Sequence, residues 1–125
     1  MSTINLTRAN FESTIVESSI VLVDFWASWC GPCRAFSPVF DHSAKSHPDI
    51  VHAKVDTQAE QELAAILGIQ SIPTIMAFRD GVLVYSQPGA MPPAMLKDLI
   101  DKVKSLDMDH VRAKIAAHKV VPTST

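Results

Sequence analysis

The chain lacks the features that mark membrane proteins and nucleic-acid-binding proteins. No apolar run reaches the length of about 18 residues that a membrane-spanning helix needs. Its 11 Lys and Arg residues against 13 Asp and Glu give a net charge of −2, so no basic face for nucleic acid or anionic lipid is indicated. The N-terminus has no basic region followed by an apolar run of signal-peptide length, which predicts a cytoplasmic location.

Cysteine is equally scarce, because Cys30 and Cys33 are the only two in 125 residues. A disulfide that closes so short a loop contributes roughly 2 kcal/mol in loop-closure entropy, against about 4.7 kcal/mol for a 100-residue loop. Structural stapling is therefore a weak reason for this pair. A dithiol that exchanges electrons reversibly is the better interpretation.

The cysteine pair lies between a predicted strand and a predicted helix. The stretch Ile20–Trp26 is apolar without strict alternation, which is typical of a strand buried on both faces. After Cys33 apolar residues recur at spacings of three and four, as on a helix face. Free N–H groups and the helix dipole favour a thiolate at the first turn, which predicts Cys30 as nucleophile and Cys33 as resolving thiol.

The two residues between the cysteines fit this interpretation. Gly31 allows the backbone of a partner to approach closely. Pro32 suits the first turn of a helix, where no N–H partner is required. At 47% hydrophobic residues, the chain can also bury a core of ordinary size for one domain.

Three further motifs surround the cysteine pair: Asp24-Phe25-Trp26-Ala27-Ser28-Trp29-Cys30-Gly31-Pro32-Cys33, then Pro38, and Ile72-Pro73-Thr74 followed by Phe78, Asp80 and Gly81. With these motifs the sequence strongly resembles the thioredoxin family. The resemblance covers roughly residues 4–105 and implies an α/β fold, a thioredoxin-like mixed β-sheet of about five strands flanked by helices on both faces, with the strand that carries Asp24 in the middle. We divide the chain into a thioredoxin domain, 1–106, and a C-terminal extension, 107–125.

Asp24 is unexpected in a buried strand. An ionised carboxylate in a core is costly, so burial should raise its pKa and let it carry a proton near neutral pH. We expect Asp24 to accept the proton of Cys33, although a buried carboxyl that is simply hydrogen-bonded is the alternative. Lys54 occupies the spacing at which the buried lysine of the family faces this carboxylate, while a solvated lysine fits the sequence equally well.

The segment around Ile72-Pro73 is the second half of the predicted site. The resemblance implies that this bond is cis and lies against the cysteines, where an extended client peptide pairs with the Ile72 main chain. An ordinary turn proline is the alternative. The surrounding apolar surface is predicted to include Trp29, Pro32, Ile72, Gly89 and Ala90.

The resemblance also implies how the protein works. It predicts a protein-disulfide reductase that maintains cytoplasmic protein thiols and donates electrons to reductive enzymes. The expected partners are disulfide-containing client proteins and a thioredoxin reductase, which holds the flavin and draws on NADPH. We expect a monomer with no cofactor and no metal of its own.

Three other functions are alternatives to this one. Cys30, Cys33, His42 and His47 have a spacing reminiscent of a Cys2His2 zinc site, but the linker is eight residues where about 12 is usual, and a buried strand precedes the cysteines. A non-catalytic subunit of a larger assembly is possible on the fold alone. An oxidase or isomerase is disfavoured by Gly31-Pro32, which the reducing members share.

The rest of the chain fits alternating strands and helices. We predict a helix capped by Thr7 that runs to about Ser18 with Phe11, Ile15 and Val16 inward, and a capping box of Thr57 and Glu60 before a helix closed by Gly68. A hairpin through Asp80-Gly81 joins strands at 74–79 and 82–86, and Pro92 and Pro93 open a helix with Leu96, Leu99, Ile100 and Val103 on one face. His52, His110 and His118 are expected at the surface.

The extension is expected to form one more helix. Asp107 can cap it, and Met108, Val111 and Ile115 recur at spacings of three and four. We expect residues 119–122 to break this helix and residues 123–125 to fray. A short helix packed loosely on its own domain is one interpretation, and a docking or dimer surface is the other.

Overall fold

The computed structural model describes the backbone of residues 3–123 and the side chains of residues 3–117. Strands and helices alternate along most of the chain. No helix in this described part is long and apolar enough to cross a membrane. In order, the elements are β1 (Ile4–Asn5), α1 (Phe11–Glu17), β2 (Ile20–Trp26), α2 (Gly31–Ser46), β3 (Val51–Asp56), α3 (Gln61–Ile66), β4 (Thr74–Arg79), β5 (Val82–Pro88), α4 (Pro93–Ser105) and α5 (Met108–Thr123).

The five strands form one mixed sheet in the order β1-β3-β2-β4-β5. Strand β3 is parallel to β1 and to β2, whereas β4 is antiparallel to both β2 and β5. The central strand is β2, which carries Asp24. The predicted five-stranded mixed sheet is therefore confirmed, as is the central position of this strand.

Side-chain alternation divides the core into two layers. The even-numbered residues of β2, such as Leu22, pack with α2 and α4, and the odd-numbered residues, such as Val23, pack with α1 and α3. Both faces of β2 are covered, which explains why its sequence is apolar without strict alternation. Asp24 is even-numbered, so it faces α2, the helix that begins at the cysteine pair.

The predicted start of the first helix is wrong. Helix α1 begins at Phe11 because the Asn10 side chain accepts a hydrogen bond from the Thr7 backbone N–H at 2.7 Å and holds residues 7–10 in a turn. Phe11 and Ile15 are buried as predicted, but Val16 is 67% exposed, since it lies beyond the face that an i, i+4 pair covers.

The predicted capping box is also wrong, because both of its residues have other partners. The Thr57 hydroxyl donates to the Trp26 carbonyl at 3.0 Å, and a Glu60 carboxylate oxygen accepts from the Arg8 backbone N–H at 2.9 Å. Instead, the Asp56 carboxylate accepts hydrogen bonds from the backbone N–H groups of Gln58 and Ala59. Helix α3 begins at Gln61, and Gly68 follows its C-cap with a φ of 71°, as predicted.

His52 is buried, against the prediction of a surface histidine. It is an even-numbered residue of β3 and therefore faces α2, where its Nε2 lies 2.9 Å from the Ser43 hydroxyl. Its Nδ1 lies 3.1 Å from the Ile50 carbonyl, so that both ring nitrogens have partners inside the protein. Burial lowers the pKa of His52 and favours the neutral ring. His110 is exposed as predicted, and the side chain of His118 lies outside the described residues.

The C-terminal half follows the prediction until the last helix. Asp80 and Gly81 both have positive φ in the β4–β5 hairpin, and the predicted apolar face of α4 is buried. The Asp107 carboxylate accepts hydrogen bonds from the backbone N–H groups of Asp109 and His110, and so caps the start of α5 as predicted. The predicted break at residues 119–122 is wrong, because α5 continues to Thr123 and its proline lies in the final turn. The predicted fraying of residues 124 and 125 lies outside the described residues.

Candidate active site

The cysteine pair caps the N-terminus of α2. Cys30 is the N-cap residue, and its Sγ accepts a hydrogen bond from the Cys33 backbone N–H at 3.2 Å. The two cysteines are joined in a disulfide with their Cα atoms 5.2 Å apart. Cys30 is 4% exposed and Cys33 2% exposed, so both are buried and Cys33 slightly more so. The Cys33 N–H that donates to Sγ and the positive end of the α2 dipole would both stabilise a thiolate on Cys30.

A small cavity lies behind Cys33 and has Asp24 in its wall. Its volume is about 110 Å³, and Asp24 is only 1% exposed. Burial raises the Asp24 pKa from 3.8 to about 7, while Lys54 lowers it and Asp41 raises it to smaller extents. The residues that line the cavity are Asp24, Trp26, Cys33, Arg34, Ser37 and Lys54.

Lys54 lies beside Asp24 in the sheet, but its ammonium group has other partners. The two residues are register partners on neighbouring parallel strands and so face the same side. The Lys54 Nζ donates to the Ser37 hydroxyl at 2.8 Å and lies 3.2 Å from Asp41 Oδ1, with the side chain 15% exposed. Within the described part of the chain, Lys54 forms no ion pair with Asp24, and Asp24 Oδ1 has no hydrogen-bond partner.

The second half of the site meets the cysteines as predicted. The Ile72–Pro73 bond is cis, and the Ile72 carbonyl oxygen lies 3.8 Å from Cys30 Sγ. The Gly89 backbone N–H donates to the Pro73 carbonyl at 2.8 Å, which holds the loop with Gly89 and Ala90 against this segment. Pro73 is buried, whereas Ile72 is half-buried and its backbone borders the disulfide.

The remaining predicted contact residues form an exposed rim. Trp29 is 64% exposed, which is unusual for a large aromatic side chain, and it directly precedes Cys30. Gly31, Pro32, Gly89 and Ala90 are also exposed. The structure therefore brings together, around one disulfide, the residues that the sequence placed in three separate segments.

Sequence reasoning missed three residues of the cavity region. Ser37 and Asp41 follow Cys33 at spacings of four and eight, so they lie on the same face of α2 and reach Lys54. Their spacing was the signal that could have revealed them. Arg34 Nη1 donates to the Ser28 carbonyl at 2.9 Å and supports the turn that presents Trp29.

The predicted alternative of a zinc site finds no support in this arrangement. Among residues that the structure describes, no three His, Cys, Asp or Glu side chains are grouped so as to hold a metal ion. The histidines of the motif lie apart from the cysteines: His42 and His47 line a groove between α2 and α4.

Comparison with known proteins agrees with this site. The thioredoxin family model matches residues 2–102, which include both cysteines, Asp24 and the Ile72–Pro73 bond. The chain belongs to the thioredoxin family. It is a thiol-disulfide oxidoreductase, and its CxxC pair carries out the dithiol–disulfide exchange of a protein-disulfide reductase.

Individual relatives give the same result. A putative thioredoxin 2 of Streptomyces coelicolor is 51% identical over 92% of this chain and 86% of its own length, so its match extends past residue 102. Thioredoxin 1 of Synechococcus elongatus is 48% identical over 78% of this chain and 92% of its own. A solved structure of a mutant thioredoxin from Halobacterium salinarum covers 83% of this chain and 91% of its own at 33% identity and a TM-score of 0.76. Thioredoxins generally work with a thioredoxin reductase and disulfide-containing clients.

Proposed function

We propose that this thioredoxin reduces client disulfides in two steps, with Cys30 as the attacking thiol and Cys33 as the resolving thiol. The observation that supports this order is the hydrogen bond from the Cys33 N–H to Cys30 Sγ at the start of α2. The same N–H and the helix dipole stabilise negative charge on Cys30. Cys33 lies inside the first turn and beside the Asp24 cavity, where a neutral thiol is favoured.

In the first step, the Cys30 thiolate attacks one sulfur of the client disulfide. A mixed disulfide forms between Cys30 and the client, and the other client sulfur leaves as a thiolate that takes a proton from water. In the second step, Cys33 gives its proton to the Asp24 carboxylate, and the resulting thiolate attacks Cys30 Sγ. The second client sulfur leaves as a thiolate and takes a proton from water. The client has then gained two electrons, which Cys30 and Cys33 have lost in forming their disulfide.

Asp24 is suited to the second step by its pKa of about 7, since a base works best when its pKa lies near the working pH. Lys54 borders the same cavity and lowers that pKa through its charge. We assign Lys54 an electrostatic role toward Asp24 and no direct contact with the sulfur atoms.

Clients bind, in this proposal, as an extended strand along the Ile72 main chain. The half-buried Ile72 lies next to Cys30 Sγ, so a peptide that pairs with its backbone would bring a disulfide to the attacking sulfur. Gly31 offers no side chain to obstruct that peptide, and apart from its chain neighbours and its own helix backbone nothing lies within 4 Å of where its Cβ would be. The exposed side chains of Trp29, Pro32 and Ala90 supply apolar contact around it.

We propose a thioredoxin reductase as the partner that returns the disulfide to the dithiol. That enzyme would hold the flavin and use NADPH, so this chain needs no cofactor of its own. The proposed setting is the cytoplasm, where the protein acts as a monomer, keeps protein thiols reduced and supplies electrons to reductive enzymes.

The assignment of the two cysteines is tested by trapping the mixed disulfide. Cys33→Ser should accumulate a covalent adduct with a disulfide client, because attack proceeds and resolution does not. Cys30→Ser should form none, and neither variant should sustain insulin reduction with NADPH and thioredoxin reductase. Mass spectrometry of both variants after incubation with the client decides the matter, and adducts on Cys30→Ser alone would reverse the assignment.

A further inference from the structure

Three side chains with oxygen acceptors, on two elements, lie on the side of the sheet that Lys54 faces. Asp24 is its register partner on β2, and Ser37 and Asp41 lie one turn apart on α2. The structure shows the ammonium with Ser37 at 2.8 Å and Asp41 at 3.2 Å. The Asp24 carboxylate is left with its Oδ1 buried and without a partner, although it lies in the same cavity wall.

The partner of the Lys54 ammonium affects the pKa of Asp24, because the electrostatic effect of a charge falls with distance. An opposite charge within about 4–6 Å lowers the pKa of a carboxyl by about 1–3 units. If Lys54 were to form an ion pair with Asp24 directly, the carboxylate would be a weaker base. It would then hold less firmly the proton that Cys33 must lose.

We propose that Ser37 is a positioning residue for the second step: together with Asp41 it holds the Lys54 ammonium away from Asp24, and so preserves the ability of Asp24 to take the Cys33 proton. This inference rests on the role proposed above for Asp24. In this role Ser37 transfers no proton, and its hydroxyl acts only through the position of Lys54.

The other groups that face Asp24 do not replace Ser37 in this role. From β3 the facing charge is Lys54, and from α2 the facing groups are Arg34, Asp41 and the Cys33 sulfur, which is part of the disulfide. The neighbouring residue of β4 is Ile75, which carries no charge. Asp41 is 49% exposed at its side chain, so solvent screens its attraction for Lys54, whereas the Ser37 hydroxyl lines the cavity itself.

The direct test is the titration of the Asp24 carboxyl in the oxidised, full-length protein, followed by carbon NMR. Ser37→Ala should lower the titration midpoint by about 1 unit, because the released ammonium moves toward the carboxylate. Ser37→Thr keeps the hydroxyl and should restore the wild-type midpoint. Ser46→Ala, the same change at an exposed position of α2, should leave the midpoint where it is. In a Lys54→Met background, Ser37→Ala should have no effect on it.

A kinetic test uses the pH dependence of mixed-disulfide resolution. The inflection should move to lower pH in Ser37→Ala by the same amount as the NMR midpoint, and return in Ser37→Thr. An unchanged or raised midpoint in Ser37→Ala would overturn the inference about Ser37, while loss of the inflection in Asp24→Asn would leave the proposed role of Asp24 standing. If Asp24→Asn keeps the wild-type inflection, the proposed role and the inference both fail.

Discussion

Replacement of Asp24 by Asn should make the oxidised protein more stable at alkaline pH and less stable at acid pH. Burial raises the pKa of this carboxyl from 3.8 to about 7. Because the folded pKa is the higher one, ionisation costs folding free energy as the pH rises above 3.8, and the full cost is present above 7. A difference of about 3 units corresponds to about 4 kcal/mol at 1.36 kcal/mol per unit.

The amide of the variant brings a cost of its own that does not depend on pH. Asp24 Oδ1 has no hydrogen-bond partner, and a buried amide N–H group left without one costs about 1–3 kcal/mol. At pH 8 the variant should therefore be more stable than the wild type by about 1–3 kcal/mol, and at pH 4 less stable by a similar amount. The two stability curves should cross between these values.

Urea unfolding of the oxidised protein from pH 4 to pH 8 measures this difference directly. Asp98→Asn is the matched control, because it is the same substitution at a side chain that is 64% exposed, and its curve should run parallel to the wild type. The variant should also resolve the mixed disulfide more slowly at neutral pH, since it cannot take the Cys33 proton. Parallel curves for Asp24→Asn and the wild type would show that the buried carboxyl does not titrate as argued.

Two further predictions concern the parts of the chain outside the site. Deletion of residues 107–125 should leave insulin reduction nearly unchanged and cost about 1.5–3 kcal/mol of stability through the loss of the buried Met108. A truncated protein that folds but reduces insulin poorly would place the extension in the site. Burial lowers the His52 pKa below 6.5, so its neutral ring supports stability above pH 6.5 and that support is lost as the pH falls through the folded pKa. His52→Phe should therefore flatten the acid side of the stability curve, and a slope as steep as that of the control His110→Ala would contradict this.

The order of elements could be predicted because each long element carries its own signal. The apolar stretch of β2 and the buried face of α4 are patterns of many residues, and no single misjudged residue changes them. Helix starts were predicted less well. The Asn10 side chain accepts a hydrogen bond from the backbone N–H of Thr7, and the Asp56 carboxylate accepts one from the Ala59 N–H, which a Thr57 cap would use. Sequence alone does not decide such local competition.

The site could be predicted where the chemistry is local and could not where it depends on distant partners. Cys30 and Cys33 share one turn, so their arrangement follows from the helix start. Lys54 has acceptors on β2 and α2, and only the packed structure shows that it contacts Ser37 and Asp41. His52 was misjudged for the same reason, since its partner Ser43 is on the helix that covers its strand.

The phase of alternation along β2 decides which residues can meet the cysteines. Asp24 lies on the same face as Leu22, toward α2, because side chains alternate with a period of two. A shift of one residue would turn Asp24 toward the layer of α1 and α3 and bring Phe25 to the cavity behind Cys33. The parallel register with β3 then places Lys54 on the same face as Asp24. The position of Asp24, the proton acceptor proposed for Cys33, is thus fixed by the phase of β2. The position of the Lys54 ammonium is fixed by the α2 side chains within its reach, Ser37 and Asp41.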